Sequence, residues 1–251
     1  MINQQTGYLR VIAIALLFCA RPAFAVADDV DPIPAEQRAA MKAQFERELA
    51  SCDAGLVKDP KTVALYSERG NAHLFLGQPR EAVSDFEKMI ALDASQDAQN
   101  WRLGIAYYLA GDYAKSARQF EKYHAYDDHD RENGIWKFLA LAKVDGLEKA
   151  RGEMLKYEQF DREPFPALYE MFAGKKTVDD VLAEIEKKEL GGDERVLFYA
   201  RYYGALDEEL LGHHDKALTL LRKAVASPKA RQLGGYMWQV ARLQWEQLKG
   251  K

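Results

Sequence analysis

Seven residue pairs recur at one interval: Gly70 and Gly104, Ala72 and Ala106, Gly77 and Gly111, Phe86 and Phe120, Glu87 and Glu121, Lys88 and Lys122, and Asp93 and Asp127 are each 34 residues apart. A chain that repeats itself at this spacing builds one helix–turn–helix unit more than once. A single pair of helices cannot bury its apolar faces, so the pairs must stack on one another. The expected fold class is therefore all-α, a solenoid of antiparallel helix pairs. In repeat 63–96 the first helix places Leu65, Arg69, Ala72 and Leu76 near one face, and Gly77 ends it as a C-cap glycine does. The second helix carries Ala82, Phe86, Met89 and Ile90 as its buried stripe. Repeat 97–130 copies the layout with Gly104, Ala106, Gly111, Ser116, Phe120 and Tyr123. Small residues facing aromatic ones allow close helix approach.

These two repeats resemble the tetratricopeptide repeat (TPR) family, whose pattern alternates small and aromatic residues. Tyr66, Gly70, Ala82 and Phe86 match it in the first repeat, and Gly104, Tyr107, Ser116 and Phe120 in the second. Met89 and Tyr123 stand where alanine is usual, His73 takes an aromatic position, and Ala94 and Asp128 replace the closing proline. The resemblance implies a concave groove lined by the first helix of each pair. By it, Asn71, Leu74, Phe75, Trp101, Ile105, Tyr108, Ile135 and Leu139 are the expected binding site for a protein or peptide partner, with Asn71 facing the partner's backbone and the others acting as apolar anchors. The charged clamp some relatives use for acidic C-termini is missing, because Ser67 stands where lysine is needed. Two alternatives stay open: an exposed groove, or one covered by the protein's own flanking helices or by a twin subunit.

Residues 35–251 read as one repeat domain. A helix opens it, with Phe45, Leu49, Cys52 and Leu56 on one face and Asp59-Pro60 at its end. Beyond the two best repeats, segment 131–164 reads as a degenerate third, since Ala150, Met154, Lys156 and Tyr157 follow Ser116, Phe120, Lys122 and Tyr123 by 34 residues. Segment 165–193 is a divergent insert. It holds a short helix near Ala167–Phe172 and a second opened by a Thr177/Asp180 capping box, with Val178, Val181, Leu182 and Ile185 as its apolar face. A late repeat spans about 198–231, where Ala217, Leu221 and Ala224 follow Gly212 as Ala82, Phe86 and Met89 follow Gly77. A terminal capping helix, 233–248, buries Met237, Ala241, Trp245 and Leu248 and leaves Gln239, Arg242 and Glu246 outside. The whole layout resembles bacterial envelope TPR lipoproteins of the "new lipoprotein I" type. That resemblance implies an adaptor docking envelope proteins such as cell-wall hydrolases and proteases.

Residues 1–25 read as a secretory signal: Arg10, an apolar run from Val11 to Ala20, Pro22, and Ala23-Phe24-Ala25 as the cleavage site. The apolar run falls short of the roughly 20 residues that span a bilayer, which favours a cleaved signal over the alternative of a retained N-terminal anchor. Lipidation at Cys19 is disfavoured by the bulky Phe18 before it. The expected location is periplasmic or otherwise extracytoplasmic, with 26–34 as a solvated extended leader. A chain keeping only Cys52 forms no internal disulfide, and this thiol reads as a small core residue. Net charge is -4 for the whole chain. Setting aside residues 1–25, whose only charges are Arg10 and Arg21, makes the balance more acidic still. Nucleic-acid binding and a polybasic membrane patch are both excluded by that balance.

Two polar clusters invite a chemical reading. His124, Asp127, Asp128, His129, Asp130 and Glu132 would form a calcium loop only with glycine at 133 and an acid at 139, where Asn133 and Leu139 stand. As a zinc site the stretch offers His124 and His129 without a third convergent ligand, so it reads as a solvated inter-repeat turn. His213-His214-Asp215 reads likewise as a polar turn. No phosphate loop, G-x-S-x-G, H-E-x-x-H or C-x-x-C is present. The expectation is a non-enzymatic scaffold with no catalytic residue, metal or cofactor. The alternatives are a metal-dependent enzyme using His124–Glu132 and a structural homo-oligomer.

Overall fold

The computed structural model describes residues 31–250; the proposed signal, most of the leader and Lys251 lie outside the described residues. Among those described, the chain forms twelve α-helices and no strand. They are α1 (Ala35–Lys58), α2 (Val63–Phe75), α3 (Pro79–Leu92), α4 (Trp101–Ala110), α5 (Tyr113–Tyr126), α6 (Arg131–Asp145) and α7 (Leu147–Gly152). There follow α8 (Phe165–Phe172), α9 (Val178–Lys187), α10 (Glu194–Leu210), α11 (His214–Ala226) and α12 (Pro228–Leu248). Helices pack on their neighbours in chain order, as an all-α solenoid requires. No described helix is long and apolar enough to cross a membrane.

The period has a concrete packing cause. A Cβ on Gly70 would stand 2.8 Å from the Phe86 ring, and one on Gly104 would stand 2.7 Å from Phe120. Each glycine lets an aromatic side chain of the second helix lie directly on the backbone of the first. Ala72, Ala106 and Ala140, one period apart, are all fully buried. Gly77 and Gly111 end α2 and α4 at φ 76° and 86°, where a side chain would be strained.

The third pair departs from the expectation. One period after Gly104 stands Phe138, so the small residue is missing at that position, and Phe138 packs on Phe172 of α8 at 5.3 Å. The helix α7 stops at Gly152, leaving Met154 and Tyr157 in the irregular segment 153–164. Tyr157 lies over Gly134, where a Cβ would meet its hydroxyl at 2.5 Å. The insert forms as expected, with both halves of the Thr177/Asp180 capping box in place.

The two ends of the domain also differ from the sequence reading. Ile33 belongs to the main core at 2% exposure, so the leader's last residues are anchored rather than solvated; Arg38 donates to the Ile33 carbonyl at 3.2 Å. Pro228 begins the last helix, five residues before the expected start at 233, and α12 bends at Gly235 (φ 49°). Past that bend its polar stripe is not the outer face of a cap. Arg242 is buried, its guanidinium donating to the Phe75 carbonyl at 2.6 Å, to Gln239 at 2.8 Å and to Glu246 at 3.0 Å, while Arg38 of α1 meets Glu246 at 3.1 Å. The last helix thus reaches the first two and closes the stack on itself.

Candidate functional site

The eight side chains expected to line one groove lie at different depths. Leu74, Ile105, Ile135 and Leu139 are at most 1% exposed. Leu74, Ile135 and Leu139 are core residues and cannot anchor a partner in this arrangement. The reason is that the inner faces of α2, α4 and α6 are covered by the protein's own helices. Trp136 donates its indole N–H to the Tyr203 hydroxyl of α10 at 3.0 Å. Tyr108 shares a cavity of about 110 Å³ with Leu206 and Leu221 of α10 and α11 and Gln244 of α12. Tyr236, just past the α12 bend, wedges between Phe75 and Trp101 with both ring centroids 4.8 Å away and edge-on. Of the two arrangements left open by the sequence, the inner face has the self-covered one.

The covering is incomplete in one place. A cavity of about 280 Å³ remains between α4, α6, α10 and α12, walled by Trp101, Ile105, Trp136, Tyr199, Tyr236 and Met237. Asn71 keeps its amide oxygen buried without a hydrogen-bond partner, as does the Tyr236 hydroxyl.

A charged network forms the polar side of the cavity. Asp130 caps α6, accepting from the Glu132 backbone N–H at 3.0 Å and from the Asn133 amide at 2.7 Å. Glu132 accepts from the Tyr203 hydroxyl and from Arg162, each at 2.5 Å. Arg162 also reaches Asp130 at 3.3 Å and Asp161 at 3.1 Å, with its guanidinium carbon 4.2 Å from the centre of the Phe165 ring. One guanidinium is thus divided among three carboxylates. Burial pushes the Glu132 carboxyl up to about 7, Asp130 and Asp161 add to the rise, and Arg162 opposes it without prevailing. Burial likewise raises Asp130. The network ties segment 153–164 to α6 and α10.

The stretch His124–Glu132 does not converge as a whole. His124 packs edge-on against Tyr157 at 5.0 Å, while Asp130 and Glu132 turn inward to Arg162. Asp127, Asp128 and His129 do bring ligand atoms within 4.8 Å of one another, on a turn where Asp128 and His129 are exposed. His213 and His214 find partners on α10, Glu208 at 2.6 Å and Glu209 at 3.1 Å. Cys52 is buried, as expected of a core thiol. Sequence reasoning missed Arg162, Trp136, Tyr199, Tyr203 and Tyr236. One signal was present for two of them: Tyr199 and Tyr203 are four apart and so share a helical face. Compared with protein-family models and with curated proteins, the sequence matches none.

Proposed function

We propose that this chain is an exported scaffold of the TPR type, an adaptor that holds a protein or peptide partner on the inner side of its helix stack. The observation that carries this reading is the aromatic seam Phe75–Tyr236–Trp101 opening into the 280 Å³ cavity, with the Glu132–Arg162 network behind it. A cavity with apolar walls and a few convergent polar groups suits one anchor side chain of a partner. Trp101 and Ile105, two of the residues singled out by the repeat pattern, form its wall. The 34-residue period supports the TPR assignment, and Arg10, the Val11–Ala20 run and Ala23-Phe24-Ala25 support export.

Crosslinking and capture from a native envelope fraction test the proposal. Trp101→Ala is expected to abolish recovery of a specific partner while far-ultraviolet circular dichroism stays unchanged. Equal recovery by the variant and the parent protein would reject this cavity as the anchor site.

A further inference from the structure

Trp101 also lines a second pocket, of about 210 Å³, set between α2, the end of α3 and the start of α4. Its polar lining is Ser67, Gln96, Gln99, Asn100 and Arg102, and no carboxylate is among the lining residues. We propose that this pocket binds a carboxylate, and that the carboxylate belongs to the partner segment whose apolar anchor enters the neighbouring cavity. The second half rests on the scaffold reading; the first stands on the pocket's own donors.

Two of those donors are buried and have nothing to donate to. Asn100 is 6% exposed. Its amide is oriented by the helix it caps: Oδ1 accepts the Leu103 N–H at 3.2 Å, which leaves Nδ2 buried without an acceptor. Nε of Arg102 is likewise buried without an acceptor. The Arg102 guanidinium makes no ion pair among the described residues and lies instead over the Trp101 and Tyr236 rings, 5.2 and 5.7 Å from their centres. Buried N–H groups ordinarily find an acceptor, and both groups here donate, so a ligand that completes them must accept.

Charge decides which acceptor. Hydrogen bonds between ionised partners are about twice as strong as neutral ones, which favours an anion over a peptide carbonyl. One guanidinium balances one negative charge, whereas a phosphate dianion would bring a second with no cation to meet it. The N-terminus of α4 adds the positive end of its peptide dipoles. Acids on the adjoining turn are already occupied: Asp97 pairs with Lys122 at 2.8 Å, and Asp93 accepts from Ser95 at 2.6 Å and Gln96 at 2.9 Å. Gln99 is held only by long bonds of 3.4 and 3.5 Å, so its amide can turn to a ligand at small cost.

Position links the carboxylate to the anchor. Trp101 lines both spaces, and Tyr236, whose ring meets the Arg102 guanidinium, walls the 280 Å³ cavity. An apolar side chain in the cavity and a carboxylate at Arg102 are therefore neighbours on one short segment.

N-acetylated tetrapeptides with one phenylalanine test this by titration into the purified protein, followed in the side-chain NMR signals of Asn100 and Arg102. One has a free C-terminal carboxylate, one is amidated, and one is amidated with glutamate after the phenylalanine; glutarate and inorganic phosphate serve as free ions. At least one carboxylate peptide is expected to shift both signals and to bind roughly tenfold more tightly than the plain amide, the tighter of the two showing whether a terminus or a side chain supplies the group. Arg102→Gln and Asn100→Asp should each remove most of that preference, and because aspartate still caps α4 the melting temperature of Asn100→Asp should stay near the parent's. Equal affinity of the three peptides, no shift of either signal by any carboxylate, or a preference that survives both substitutions would overturn the proposal and leave the pocket to water. Phosphate binding more tightly than every carboxylate would overturn the identity of the ion, and glutarate binding as tightly as the peptides would overturn its assignment to a partner segment. Envelope capture lost in Trp101→Ala but intact in Arg102→Gln and Asn100→Asp refutes the carboxylate site and leaves the scaffold reading standing. Absence of any captured partner, with carboxylate binding that depends on Arg102 and Asn100, counts against the scaffold reading alone.

Discussion

Replacing Glu132 with glutamine isolates what the buried network does to stability. The glutamate carboxyl moves from an ordinary 4.5 to about 7 on folding, because burial and two neighbouring aspartates outweigh the shared Arg162. The folded protein therefore holds this proton more tightly than the unfolded chain. That contribution to stability is complete below about 4.5 and is lost as pH rises through about 7. At roughly 1.4 kcal/mol per pH unit, the anion forfeits about 3 kcal/mol across the window. Glutamine matches the protonated acid in shape and never ionises. In urea unfolding from pH 4 to pH 8, the stability of Glu132→Gln relative to the parent should rise by about 3 kcal/mol, or ~1 M in midpoint for a slope of ~2–3 kcal/mol/M. Asp207, which burial raises to about 6, titrates in both proteins and cancels in the difference. A difference that stays constant with pH, or one that shifts toward the parent at alkaline pH, would show that Arg162 stabilises the Glu132 anion and would refute this account.

Two further outcomes follow from packing. Gly104→Ala drives a methyl group to 2.7 Å from the Phe120 ring, which Trp136 backs at 6.1 Å. An overpacking cost of about 1–3 kcal/mol should exceed the ~1 kcal/mol gained from alanine's helix propensity, and Phe120→Leu in the same chain should recover most of the loss in thermal melts. Cys52 is 3% exposed and burial pushes its thiol above the ordinary value, so in a Cys19→Ser chain an aromatic disulfide reagent should modify it only on unfolding; rapid labelling of the folded protein would contradict this.

The local helix pairs were legible because their determinants lie close together in the chain. Gly70 meets Phe86, and Gly104 meets Phe120, sixteen residues on in each case, so a repeated pattern records a repeated contact. The same logic exposes its own limit at Phe138. The period continues in Ala150 and Tyr157, but a bulky side chain, Phe138, stands at the small position and packs on Phe172 of α8. Asp130 and Glu132 looked like turn residues because hydrophobic periodicity says nothing about Arg162, which comes from a segment without regular structure.

The course of the last helix shows the division most clearly. Its apolar stripe, Met237, Ala241, Trp245 and Leu248, is visible in the sequence and buried in the structure. Gln239, Arg242 and Glu246 carry no sign that they too face protein. Their surroundings are the Phe75 carbonyl, 167 residues from Arg242, and Arg38, 208 residues from Glu246. The sequence by itself determined the all-α stack, since each helix needs only its neighbour to bury its stripe. Whether the inner face stands open was decided by tertiary structure alone, because closing it depends on contacts between the two ends of the domain, which no local spacing encodes.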